Sequence, residues 1–232
     1  GHQVVLFDVL PNSGYIQAIV GKEKELAVET ADLRDLPALF AVLRKYNIDT
    51  VVHTAGLIGK KVAAHPYTGV TVNVQGSVHV AEAVRVLKLK RLIFLSTFGV
   101  YSGKVSASAP VTEDFPLDSG NLYGATKVAN EHILGAIADL AGFDLIILRP
   151  AGVFGPGHYR GGSTVGIVMN DLVAGAKRGE AVRIKESLLG TNEYVYAKDV
   201  AQAIEKACIV TSVKSRAFNV GTGVLHSAQE IV

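Results

Sequence analysis

Tyr123 and Lys127, four residues apart, carry the strongest chemical signal in the chain. On a helix such a pair shares one face. A lysine ammonium beside a tyrosine favours phenolate over phenol, and is expected to pull the hydroxyl below its free value of about 10. A phenol tuned in this way can exchange a proton with a carbinol or carbonyl oxygen while hydride moves at the carbon. Taken alone the spacing is weak, because exposed helices carry such pairs by chance. Upstream, "RLIFLSTFGVYS" reads as a buried strand ending in two hydroxyl residues, Ser96 and Thr97. Parallel sheets bind ligands at the carboxyl ends of their strands, where these hydroxyls stand.

Other chemistries lack their residues. The seven histidines are scattered without metal-ligand spacing, so no metal site is expected. His53 reads as a packed or cofactor-adjacent histidine rather than a base. Cys208, the single cysteine, can form no internal disulfide, which points to a reducing, cytoplasmic setting, and its apolar neighbours place it in a helix core. There is neither a G-x-S-x-G elbow nor a G-x-x-x-x-G-K-[ST] loop. Lys and Arg number 23 against 21 acidic residues, a balance that offers nothing to nucleic acid or an anionic membrane. Mean hydropathy is high at +0.30. The longest apolar runs nevertheless fall well short of the ~20 residues of a membrane helix.

The elements that must position Tyr123 and Thr97 follow from periodicity. Continuous apolar runs at Gln3 to Phe7, Thr50 to Ala55, Arg91 to Ser96 and Phe143 to Leu148 read as strands covered on both faces. Between them Leu33, Leu36, Leu39, Phe40 and Leu43 recur at helical spacing, with Asp35 and Pro37 as start signals. Further helices are expected over about Val72 to Leu87 and from near Tyr123. The alternation implies an α/β fold, a Rossmann-like doubly wound parallel sheet, with a dinucleotide-binding part over 1–150. A small substrate lobe over 151–232 interleaves with the last strands. "GHQVVLFD" reads as the second strand of such a fold, with Asp8 at its carboxyl end. The first strand and its Gly-rich turn are not among the 232 residues, and "SAQEIV" reads as an opening helical turn. Both ends are therefore expected to be incomplete.

In order along the chain, "VETADLRD", "TVVHTAGL", "VNVQGS", "FLSTFGVYS", "NLYGATKVANEHIL", "LRPAGVFGPG", "NEYVYAKDVAQAI" and "FNVGTG" resemble the NAD-dependent epimerase/dehydratase branch of the extended short-chain dehydrogenase/reductases. The resemblance implies hydride transfer between a secondary alcohol carbon of a sugar-like substrate and NAD. It makes Tyr123 the acid/base, Lys127 the residue that tunes it and holds the nicotinamide ribose, and Thr97 the hydroxyl on the reacting oxygen. Ser96 is a weaker bearer of that last role and joins the cofactor set. By the same resemblance Asp8 takes the adenosine ribose and favours NAD over NADP, while Asp32 and Leu33 flank adenine. Thr54, Ala55 and Gly56 let backbone approach the dinucleotide, Asn73 stands near the cofactor or caps a helix, and Pro150 lies at the nicotinamide side.

Two positions depart from the nucleotide-sugar members. Gly152 stands where an Asn is usual, and Asn192 where an Arg would meet the diphosphate. Arg160, Lys177, Arg178, Arg183 and Lys185 offer another route to phosphate, against the alternative of an ordinary solvated surface. Two further readings stay open: an NAD(P)-dependent reductase of a small non-nucleotide substrate, and a non-catalytic dinucleotide-binding regulator. Val80, Val86, Leu87, Val128, Leu134 and Ala138 widen the apolar faces of two helices, from which a homodimer is expected.

Overall fold

The computed structural model describes residues 2–21, 26–101, 110–155, 164–183, 191–213, 215–227 and 230. Its centre is a parallel sheet in the order β3 (Thr50–His53), β4 (Arg91–Leu95), β5 (Asp144–Pro150), β8 (Ala217–Val220). The register aligns Thr50 with Arg91, Arg91 with Asp144, and Ile147 with Ala217. Side chains alternate across these strands. Leu92, Phe94, Leu145 and Ile147 join Leu39, Val84 and Leu134 in one core, under α2 (Leu36–Lys45), α5 (Gly76–Val86) and α6 (Leu122–Ala141). Ile93, Ile146 and Leu148 face the other way and pack with Ala207 on α8 (Ala197–Ile209). Both faces are thus covered, which is why the runs read as unbroken apolar segments.

The helix ends follow their caps. Asp35 Oδ1 accepts from Ala38 N at 3.0 Å with Pro37 in the first turn of α2, and Asn121 Oδ1 accepts from Gly124 N at 3.0 Å to start α6. Gly142, at φ 74°, closes α6 with its N–H on Ala138 O at 2.8 Å. Arg91 is buried beside the last turn of α8 and donates to Ala207 O and Cys208 O at 2.8 and 3.1 Å.

Three elements differ from the sequence reading. The first strand, β1, spans Val5–Asp8 rather than Gln3 to Phe7, and Ser13–Val20 forms a helix, α1, that periodicity did not single out. The helix expected from Val72 starts earlier: Lys60–Ala64 (α3) and Pro66–Val70 (α4) lead into a π-turn at Thr71–Gln75 and then α5. Asn73 therefore sits inside a π-turn and caps nothing.

β1 pairs in parallel with β2 (Ala27–Thr30), and among the described residues no strand joins β1 to β3. A cavity of about 450 Å³ lies between them, lined by Val5–Phe7, Thr50–His53, Leu39 and Leu43. After Pro150 the chain contributes to two places. Gly152–Phe154 (β6), Asn192–Tyr196 (β7) and Leu225–His226 (β9) form a small sheet beside α7 (Thr164–Arg178), while β8 and α8 return to the main sheet. No helix among the described residues is long and apolar enough to cross a membrane.

The apolar surplus on α5 and α6 is smaller than the sequence implied. Val80, Leu134 and Ala138 belong to the core under the sheet, leaving Val86 exposed and Leu87 and Val128 half-buried. Both helices use a wide arc because they pack on the sheet and on each other.

Candidate active site

β4 delivers the hydroxyl residues. The strand ends at Leu95, and Ser96 N still donates to Leu148 O at 2.7 Å before the chain turns through a 3-10 segment at Phe98–Tyr101. Thr97 sits on that turn and accepts from Gly99 N at 3.2 Å. The first turn of α6 presses against it: a Cβ added at Gly124 would lie 2.9 Å from Gly99 O. Glycine is what allows this approach, and it brings the Tyr123 side chain up to Thr97. One turn on, Lys127 Nζ donates to Leu95 O at 2.7 Å and lies over the rings of Phe94 and Tyr123, 4.6 and 5.9 Å from their centroids.

The electrostatics correct one expectation. Burial pushes the Tyr123 hydroxyl up to about 12, with the neighbouring Thr97 hydroxyl opposing, instead of the lysine drawing it below 10. The reason is placement. Lys127 is bound to a backbone carbonyl, and its own burial lowers it to about 8. As the structure stands, Tyr123 is a phenol and therefore an acid.

A second cluster braces the loop after β3. Asn73, 2% exposed, accepts from Leu57 N at 2.7 Å and donates to Leu57 O at 2.9 Å and to Thr126 Oγ1 at 3.1 Å. Its carbonyl takes Ser77 Oγ and Asn130 Nδ2 at 2.6 and 2.8 Å. The π-turn makes room for this convergence, as such turns often do at functional sites. Asn73 thus shapes the exposed Thr54–Gly56 turn through the backbone of Leu57, and a Cβ at Gly56 would stand 3.1 Å from its Oδ1. His53 Nε2 pairs with Ser77 Oγ at 2.8 Å. Burial and the Lys127 charge lower His53 to about 3, so it is a neutral packing residue.

The other expected positions divide. Asp8 ends β1 with Oδ1 accepting from Leu10 N at 2.8 Å, and Pro150 ends β5, buried. Both stand, with Thr54–Gly56 and Thr97, at carboxyl ends of parallel strands. Asp32 forms a bidentate pair with Arg34, which holds its carboxyl below the usual range. Leu33 is core, against Gly76. The Ser96 hydroxyl is occupied by Glu131 at 2.5 Å. Gly152 pairs with Tyr194, and Asn192 opens β7 opposite His226. Lys177, Arg178 and Arg183 are exposed, Arg178 on Glu180 at 2.7 Å; Arg160 and Lys185 lie outside the described residues. Cys208 is half-buried on α8.

Sequence reasoning missed a buried network. Glu131 and Arg149 form a bidentate pair at 2.6–3.1 Å; Arg149 also reaches Tyr101 Oη and, at 3.0 Å, Glu113 O, while Tyr101 donates to Asn219 Oδ1 at 2.9 Å. Its signals were present: Glu131 extends the Tyr123, Lys127 spacing by one more turn, and Arg149 is a charge inside an apolar strand.

The residues fit a dinucleotide, because the exposed backbone turn at Gly56, the carboxylate of Asp8 and the Thr97–Tyr123 pair share one edge of the strands. The family model described as "NAD dependent epimerase/dehydratase family" matches residues 1–221. The UDP-glucose 4-epimerase of Bacillus subtilis (strain 168) is 31% identical over 255 residues, covering 100% of this chain and 74% of that protein. That of Mycolicibacterium smegmatis is 32% identical over 236 residues, covering 100% and 73%. The crystal structure of the Thermus thermophilus UDP-glucose 4-epimerase in complex with NAD superposes with a TM-score of 0.79 at 25% identity, covering 98% of this chain and 80% of that one. The chain belongs to the NAD-dependent epimerase/dehydratase family, enzymes of the extended short-chain dehydrogenase/reductase type.

Proposed function

We propose that this chain moves hydride at a secondary alcohol carbon of a nucleotide sugar, a UDP-hexose being the first choice because UDP-glucose 4-epimerases are among its relatives. The observation that carries the reading is Tyr123 beside Thr97 at the end of β4, one turn from Lys127. When bound, NAD supplies the hydride acceptor. Thr97 and Tyr123 present two hydroxyls to one substrate oxygen. Tyr123 holds the proton that a carbonyl oxygen needs, and takes it back from the carbinol when positive charge nearby lowers the cost of phenolate. Lys127 provides such a charge from the next turn. Asp8 takes the ribose hydroxyls, Thr54–Gly56 and Pro150 offer backbone, and Asn73 fixes the first of these turns. Asp32 and Leu33 flank the adenine, and Ser96 backs Thr97 through its bond to Glu131. Epimerase and dehydrogenase outcomes share this proton transfer.

We assign substrate recognition to 151–232 and NAD binding to 1–150, the two parts interleaved through β8. With Gly152 and Asn192 at their positions, diphosphate contacts must come from elsewhere. The single cysteine supports a cytoplasmic location. Pairing of two chains through α5 and α6 rests on Val86, Leu87 and Val128, with sedimentation as its measure. The function is tested by incubating the protein with NAD and UDP-glucose, UDP-galactose or a free sugar, following nicotinamide absorbance and product stereochemistry. Interconversion at C4 supports the reading. NAD binding with no turnover of any nucleotide sugar overturns it.

A further inference from the structure

α6 meets the end of β4 through three residues one turn apart. Tyr123 stands beside Thr97, Lys127 bonds Leu95 O at 2.7 Å, and Glu131 accepts from Ser96 Oγ at 2.5 Å. Three consecutive residues of one chain segment are thus gripped by the i, i+4, i+8 row of a helix. Glu131 is the anchored end of that row. It is 6% exposed and its carboxylate is held by Arg149 Nε and Nη2, Arg149 being 5% exposed and fixed in turn by Tyr101 and Glu113 O. A buried pair of this kind is seldom the most stable filling of its space, since apolar residues of similar volume often do as well or better. Its place beside Lys127 offers a reason for it beyond stability.

We infer that Glu131 is a positioning residue: locked by Arg149 and Ser96, it fixes α6 in register on the end of β4 and sets the field in which Lys127 holds its proton. The groups facing Lys127 are Glu131 and Tyr123 from its own helix, His53 from β3, and the Phe94 ring and Leu95 carbonyl of β4. Tyr123 is a neutral phenol and His53 a neutral imidazole near pH 7, so Glu131 is the facing group that carries negative charge. Burial draws Lys127 toward losing its proton, and the Glu131 carboxylate opposes that. The inference rests on the role of Lys127 given above, and its test is separable from that role.

The test follows the Lys127 side chain by lysine-labelled NMR across pH 6 to 11, the signal being assigned by its loss in Lys127→Met. Glu131→Gln removes the charge and keeps the shape. Glu131→Gln/Arg149→Met removes both charges, so that no unpaired guanidinium is left to unfold the protein. In Glu131→Gln the Lys127 midpoint is expected to fall by about one pH unit, from charges one helical turn apart in a buried setting, and in the double variant by less, because loss of the Arg149 charge offsets part of the effect. The alkaline limb of turnover should move down with it, while thermal stability of the double variant stays near wild type. A folded Glu131→Gln variant with an unmoved Lys127 midpoint, or a folded double variant with wild-type turnover and pH profile, overturns the inference. Because the NMR arm needs no substrate, failure to find a nucleotide-sugar activity leaves it readable, and an unmoved midpoint in an active enzyme removes this inference alone.

Discussion

Gly124→Ala probes the close approach on which the site depends. Gly124 is helical, so alanine brings no backbone strain and would by propensity add about 1 kcal/mol. Its Cβ, however, would lie 2.9 Å from Gly99 O and 2.8 Å from Ser119 Cβ, and it would overlap Ser119 Oγ. Ser119 can turn aside, but its hydroxyl donates to Asn121 O, the residue that caps α6. The Gly99 carbonyl is backbone and must retreat by roughly 0.5 Å to reach ordinary contact at about 3.4 Å. Gly99 N is bonded to Thr97 Oγ1, so Thr97 moves with it. Overpacking costs about 1–3 kcal/mol, which leaves a net loss of about 1 kcal/mol and a Tm lower by roughly 2–4 °C. A misplacement of about 1 Å near reacting groups can cost ~100-fold, so half of it should lower turnover about tenfold with NAD affinity retained. Calorimetry and steady-state turnover on the same preparations measure both. A raised Tm with turnover within twofold of wild type would refute the reasoning, since helix propensity would then outweigh the contact.

Three other substitutions bear on the remaining roles. Tyr123→Phe keeps the ring and loses the proton, so turnover should drop at least ~100-fold while NAD binding, read by titration, stays intact; activity within a few-fold of wild type would remove Tyr123 from the mechanism. His53, lowered from 6.5 to about 3 by burial, binds fewer protons folded than unfolded between those values. Its contribution is therefore present above pH 6.5 and lost on acidification, at about 1.4 kcal/mol per pH unit; urea unfolding at pH 7 and 5 should show a smaller loss in His53→Gln than in wild type. Asp8→Ala should narrow the preference for NAD over NADP by relieving repulsion of a 2′-phosphate, and equal wild-type affinity for the two would contradict the placing of Asp8 at the ribose.

The sheet and its helices were legible because burial on two faces writes a one-dimensional signature: "RLIFL" and "DLIIL" have no polar alternation, and Asp35-Leu-Pro marks a helix start through backbone geometry that does not depend on distant residues. The Tyr123–Lys127 pair was legible for the same reason, since four residues on a helix are neighbours wherever the helix packs. What lay across the chain was not. The sign of the Tyr123 shift depended on how deeply the fold buries its hydroxyl, and Lys127 Nζ found its acceptor, Leu95 O, 32 residues away. Asn73 could be read as a cap because a sequence does not show the π-turn that carries its side chain to Leu57, and Val80, Leu134 and Ala138 could be read as surplus because apolarity does not say which neighbour will cover it. Glu131 and Arg149 became one unit only when α6 was laid against β5. Local backbone preference and periodicity are properties of the sequence; desolvation, hydrogen-bond partners and charge pairing depend on which distant atoms the fold brings within a few ångströms, and these decided the protonation of the site.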